Sequence, residues 1–176
     1  MKKITKGFTL IELLIVIALL GALAVALLAA LDPLEQIKKG TDTGVRNTVS
    51  EIANSFIRYA SVKQAVLPYT GFIAWGSVGT AGASPAYAAI SAVIATGELK
   101  ADFLSLAKDS LEKIFIIADQ EKNYVCFAPG AKAFRVDPNT KFVTVAGATS
   151  ATMTEVSGCD QNGTSTSGAT CYWCVR

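Results

Sequence analysis

The 176-residue chain has no histidine. That absence removes the commonest general base, the Ser-His and Cys-His nucleophile pairs and the usual imidazole metal ligand together. Charge is scarce too: Asp, Glu, Lys and Arg make up 17% of the residues, 16 basic against 14 acidic, and no basic surface suited to nucleic acid is visible. No glycine-rich loop that could cradle a phosphate is present, and no spacing ties Ser, Lys and Asp into a reacting group. A secreted or membrane-anchored enzyme therefore has no site to rest on, and neither a cofactor nor a metal is expected. Cysteine is missing from everything before Cys126.

What the chain has in excess is apolar surface, and it is unevenly spread. Hydrophobic residues are 51% of the total, yet Phe8 to Leu31 is almost wholly aliphatic, with Thr9 and Glu12 its only strongly polar members. At about 1.5 Å per residue a helix over that run reaches roughly 36 Å, enough to cross a hydrocarbon layer of about 30 Å. Lys2, Lys3 and Lys6 precede it, so the positive-inside bias places the start of the chain in the cytoplasm and everything after Leu31 outside. Without those three lysines the balance reverses to a slight acidic excess.

An ordinary secretory signal shares the basic start, the apolar run and small residues such as Ala29 and Ala30 near its end. Glu12 argues against it, because a carboxylate deep in a bilayer costs about 2.5–3.5 kcal/mol on insertion scales. Glu12 needs a cation, a helix N-terminus or the headgroup region to satisfy it.

After Leu31 the helical spacing continues. Leu34, Ile37, Thr41, Val45, Val49, Ile52, Phe56 and Tyr59 fall on one face, with Lys38, Lys39, Asp42, Arg46, Glu51 and Arg58 largely elsewhere. The pattern predicts one long helix from about Phe8 to about Lys63, kinked at Asp32-Pro33. Gly40 and Gly44 make "GTDTG" a candidate for local melting, or for close packing through small residues. "LPYTGFIAWGSVGTAGAS" reads as an irregular connection. Ser84, Pro85 and Gly97 bracket a short helix over Pro85–Thr96, and Ala101–Leu111 can add a turn or two.

The pattern then turns to strands. "KIFIIAD", "NYVCFA" and "KFVTV" are rich in β-branched and aromatic residues and are separated by turn signals, which predicts a small antiparallel sheet; "KAFRV" fits a strand or a helical turn.

Cys126, Cys159, Cys171 and Cys174 form an even set on the outward side of the apolar run, which suits two disulfides in an oxidising compartment. Of three possible connectivities the preferred one joins Cys159 to Cys171, across the base of a Gly/Ser/Thr-rich loop that lacks apolar support, and Cys126 to Cys174. "CYWC" has no thioredoxin-like surroundings, and a four-thiolate zinc site would call for a second close pair. Asn162-Gly163-Thr164 fits the glycosylation acceptor pattern, although a plain loop turn is the simpler account. Tyr172 and Trp173 are expected to pack on the sheet.

The stretch "KGFTLIELL" resembles the class III signal of type IV pilins and their pseudopilin relatives: Gly7, then Phe8, then Glu12, with basic residues before and a long apolar run after. The resemblance implies that a membrane prepilin peptidase cuts between Gly7 and Phe8 on the cytoplasmic side and methylates the new Phe8 amine. Physically, that amine and Glu12 each need a partner, since an unpaired buried ion costs several kcal/mol. Glu12 could reach the amine of its own helix or that of a neighbouring subunit, and the resemblance implies the neighbour.

The expected organisation is a leader over 1–7, a transmembrane and filament-core helix over 8–31, the amphipathic half of the long helix over 32–63, and a globular head over 64–176. This is an α+β fold, a long helix packed on a small antiparallel sheet. The expected function is that of a structural pilin, anchored in the inner membrane as a precursor and then assembled with other copies of itself, by the pilus machinery, into an extracellular filament. The alternatives are a pseudopilin of a secretion system and, in a different class, a secreted or membrane-anchored enzyme or binding protein.

Overall fold

A computed structural model describes residues 7–63, 72–79, 84–119, 121–145 and 151–176. The basic start at Lys2, Lys3 and Lys6 and much of the connection between residues 64 and 83 lie outside them. The chain divides into two compact units, one up to Ile37 and one from Lys38 to Arg176.

The first unit is dominated by helix α1, Leu10–Ala30, in which no residue is buried. A helix that is apolar all round has no preferred inner face, so it is suited to lipid or to other helices rather than to the side of a soluble core. It ends at Leu31, whose backbone is extended at φ −98° and ψ 136°. A new helix, α2, runs Pro33–Lys63. The single kinked helix expected from the spacing is thus two helices with a break. The reason is local: the residue before a proline is pushed out of the helical region, and Pro33 is well placed as the first residue of a new helix. Asp32 caps that helix by accepting the Glu35 N–H at 3.2 Å.

In the second unit α2 supplies Val45, Val49, Ile52, Ala53 and Phe56 to a buried cluster. The stripe does not enter the core along its whole length: Leu34 and Ile37 stay 68% and 66% exposed, and Thr41 is exposed as well. Nor does "GTDTG" melt, for α2 continues through it. Its anchor is Asp42, which the spacing placed on the polar side and which is buried. The Asp42 carboxylate accepts the Gly130 N–H at 3.1 Å on Oδ1 and the Ala131 N–H at 2.7 Å on Oδ2. Arg46, one turn on, is half-buried over the Trp173 ring, 4.6 Å from its centroid. A cation built over an indole face gains from the ring quadrupole while its stem covers apolar surface.

Among the described residues the sheet has six antiparallel strands: β1 Ile73–Ser77, β2 Ile114–Ala118, β3 Asn123–Phe127, β4 Thr140–Thr144, β5 Met153–Glu155 and β6 Tyr172–Val175, in the order β1-β2-β3-β6-β4-β5. The last strand in sequence therefore lies inside the sheet, paired with β3 through Cys126–Cys174 and Phe127–Trp173 and with β4 through Thr140–Trp173 and Phe142–Tyr172. One face, with Ile114, Ile116, Val125, Phe127 and Trp173, joins α2 in the main core. Ile117, Tyr124, Cys126, Phe142 and Met153 belong to a second cluster, edged by Trp75, Tyr172 and Cys174.

Helix α3, Pro85–Ala95, is capped by Ser84, whose hydroxyl accepts the Tyr87 N–H, and buries Ala86, Ala89, Ile90 and Val93. It stops at Gly97, whose φ of +83° is costly for any residue with a β-carbon. Two single turns follow, α4 Phe103–Leu106 and α5 Lys108–Leu111, and "KAFRV" resolves as the helical turn α6, Lys132–Arg135. The segment read as an irregular connection contains β1. There the register slips between Ile73 and Gly76, so the alternation that marks a strand is broken by its own bulge.

Candidate functional site

The start of α1 brings Gly7, Phe8, Thr9 and Glu12 together. Thr9 is the N-cap, extended at φ −81° and ψ 151°. Its hydroxyl oxygen accepts the Glu12 N–H at 3.3 Å, while Glu12 Oε2 accepts the Thr9 N–H at 2.9 Å and the Thr9 hydroxyl at 2.8 Å. This is a reciprocal capping box, in which each side chain satisfies a backbone donor that the first turn leaves unpaired. The signal was present in the sequence as Thr9-x-x-Glu12. Of the three ways of satisfying Glu12, the helix N-terminus is the one this chain shows, and the Thr9 side chain is the partner that completes it.

The capping box shows how an isolated chain tolerates this carboxylate. A carboxylate offers about four lone-pair sites, and the bonds to Thr9 converge on one oxygen. The other oxygen, Oε1, retains the capacity to receive a cation without the cap being dismantled. Phe8 is 84% exposed, and the peptide bond on its amino side, to Gly7, is the one at which the resemblance places the cut. A β-carbon added at Gly7 would meet nothing within 4 Å. Among the described residues, no packing contact demands glycine there.

In the head, Cys126 is bonded to Cys174 and Cys159 to Cys171. The first bond joins directly paired residues of β3 and β6; the second closes the C-terminal loop. That loop is also held by hydrogen bonds. Asp160 accepts the backbone N–H of Asn162 and of Thr164, at 2.9 and 2.8 Å, and Arg135 reaches the carbonyls of Pro129 and Gln161 at 2.9 and 3.1 Å. The bonds from Thr164 and Asn162, led by the Thr164 N–H, hold the Asp160 carboxyl below its usual range. Trp173 packs into the core against Phe127, whereas Tyr172 makes edge contacts with Trp75 and Phe115. Among the described residues no group of three His, Cys, Asp or Glu side chains is arranged to hold a metal ion.

Residues 2–28 match the family model described as the prokaryotic N-terminal methylation motif. No curated protein and no solved structure matches the chain. The matched segment is the class III signal peptide of type IV pilins and pseudopilins, and with the α+β head it supports a pilin- or pseudopilin-like precursor. The motif implies processing by a prepilin peptidase, and Leu10–Ala30, among the described residues the one apolar helix long enough to span a bilayer, fits a membrane-anchored precursor.

Proposed function

We propose that the chain is a structural subunit of a type IV pilus, cut between Gly7 and Phe8, methylated on the Phe8 amine, and polymerised through α1 with other copies of itself into an extracellular filament. The observation that carries this reading is a uniformly apolar α1, unburied within its own chain and bearing one carboxylate at its start. Removal of the leader creates a cation at Phe8. Methylation leaves it charged. In a packed array of such helices each amine lies in apolar surroundings and needs an anion, and Glu12 of a neighbouring copy supplies one. A subunit out of step would bury both charges unpaired, so the pairing also sets axial register. The apolar residues from Leu10 to Leu31 supply the contact area; because the helix leaves lipid rather than water, the gain comes more from packing than from the hydrophobic effect.

The two disulfides and the exposed Ser/Thr-rich loop between Cys159 and Cys171 favour a surface fibre over the short periplasmic assembly of a pseudopilin. Two measurements test the reading. Intact mass with N-terminal sequencing of native protein should give a chain that starts at methylated Phe8; a start after Ala30 sinks it. Glu12→Val should leave membrane insertion intact and abolish incorporation into fibres, and normal incorporation would refute the intersubunit pairing.

A further inference from the structure

We infer that Asn162 is an N-glycosylation acceptor, taking a glycan from a lipid-linked glycosyl diphosphate on the outer side of the membrane. The tripeptide Asn162-Gly163-Thr164 alone is compatible with a plain turn, and three features of the structure carry it further. The first is division of labour within the turn. Asp160 and Gly163 build it: the Asp160 carbonyl accepts the Gly163 N–H at 3.0 Å, the Asp160 carboxylate takes the N–H groups of Asn162 and Thr164, and Gly163 supplies a φ of +79°. Asn162 gives the turn its backbone N–H, while the positive φ and the tight bend fall to Gly163 and Asp160.

The second feature is how the acceptor is oriented. One Asp160 carboxylate engages both chemically distinctive groups of the tripeptide, accepting Asn162 Nδ2 at 3.2 Å on Oδ2 and Thr164 Oγ1 at 2.9 Å on Oδ1. An amide nitrogen is a poor nucleophile because its lone pair is delocalised into the carbonyl, so the activation belongs to the transferring enzyme, and what Asp160 contributes is a fixed position for the acceptor.

The third feature is presentation. Gln161 and Asn162 are exposed, and the loop below them is fixed by the Cys159–Cys171 bond and by Arg135. A β-carbon at Gly163 would meet Arg135 Cδ at 3.4 Å, so the arginine stem backs the turn from the inner side and leaves the outer side to an enzyme.

In the transfer, Asn162 Nδ2 bonds to the anomeric carbon of the donor sugar, the bond from that carbon to the diphosphate oxygen breaks, the lipid diphosphate leaves with the electron pair, and one amide proton passes to base. The inference rests on the reading that the head is delivered across the membrane, and it is independent of whether the filament is a pilus.

The test is mass spectrometry of the protein from its native cells, intact and after digestion, with N-terminal sequencing of the same sample. A carbohydrate mass should appear on the peptide containing Asn162, vanish in Asn162→Gln and Thr164→Ala, persist in Thr164→Ser, and fall in occupancy in Asp160→Ala. Both cystines are measured in each variant to show that the loop has formed. An unmodified Asn162 peptide, or a glycan carried on Ser or Thr of the same loop, overturns the inference. The outcomes are separable from those for the pilin reading: a chain starting at methylated Phe8 without the glycan sinks only the acceptor site, and a glycosylated chain starting elsewhere sinks only the pilin reading.

Discussion

Asp42 buries a carboxylate in a helix whose neighbouring positions face water, and the two backbone amides it serves lie on the turn that begins α6. Removing the acceptor leaves both amides without a partner, and hydrogen bonds to a charged group are worth about 1.5–3 kcal/mol net. Asp42→Ala should therefore lower the stability of the detergent-solubilised chain by about 2 kcal/mol, seen as a drop of several degrees in its melting midpoint, with the two cystines intact. The exposed carboxylates act differently. Lys141, 2.8 Å from Glu155, holds the Glu155 carboxyl below its usual range, with Arg176 adding to it. At Asp119 partial burial pushes upward, but the N–H groups of Ala151, Glu121 and Lys122 together outweigh it. With Asp160, all three have folded-state values below their unfolded ones, so each contributes stability that is complete above the ordinary carboxylate range near pH 4 and lost as pH falls through the depressed value. The melting midpoint should thus be flat with respect to these groups from pH 7 to about pH 5, then decline on further acidification, and Asp160→Asn should reduce the decline. Some carboxylate partners are local, as Thr9 is to Glu12, Glu35 to Asp32, Glu121 and Lys122 to Asp119, and Asn162 and Thr164 to Asp160, all within five consecutive positions, where a sequence pattern can carry them. Asp42 meets residues 88 and 89 positions away, and no local pattern carries that information.

The helices and strands show the same division between local and distant causes. Helix α3 could be delimited from Ser84, Pro85 and Gly97, since cap, first turn and stop are each set by one residue's backbone preference. Strands β2, β3 and β4 announced themselves by β-branched and aromatic runs. Strand β1 did not, because a bulge and Gly76 interrupt its alternation, and β5 is only three residues long. For α2, periodicity found the apolar face and gave no hint of where the head begins to cover it. The stripe is continuous, yet Phe56 is fully buried while Leu34 and Ile37 are open. Phe56→Ala should cost about 3–5 kcal/mol through transfer and cavity terms and broaden or abolish the cooperative melting of the head. Leu34→Ala, on the same stripe and 68% exposed, should leave that melting within about 0.5 kcal/mol of the parent, and on the proposed pilin reading it should reduce fibre yield. Equal destabilisation by the two substitutions would show that the head covers α2 further towards its start than its burial indicates.

At the scale of the whole molecule, the sheet order places the end of the chain at its middle. Strand β6 bridges β3 to β4, so without it β1-β2-β3 and β4-β5 share no strand pairing. A C-terminal segment is the part of a chain most prone to fray unless tied down, and here the tie is the Cys126–Cys174 bond, set at the pairing that joins the two halves. The two disulfides are nested: the residues of Cys159–Cys171 are 12 apart and lie within the 48-residue separation of Cys126–Cys174. On the chain-entropy account, a loop near 50 residues restrains the unfolded state by about 4 kcal/mol and one near 12 by about 3 kcal/mol, and nesting makes the pair worth less than the sum because the inner bond already shortens the outer loop. Entropy alone makes the two bonds nearly equal. The topology does not, since opening the inner one frees a surface loop that Asp160 and Arg135 still brace, whereas opening the outer one loosens the strand on which the sheet's continuity depends. Cys126→Ser/Cys174→Ser should therefore make the head susceptible to proteolysis at temperatures where Cys159→Ser/Cys171→Ser remains resistant apart from a cut within residues 160–170. Equal resistance of the two double variants would mean that the β3–β6–β4 pairing holds without its covalent tie, and that the last strand is kept in place by the packing of Trp173 beneath Arg46 rather than by the bond beside it.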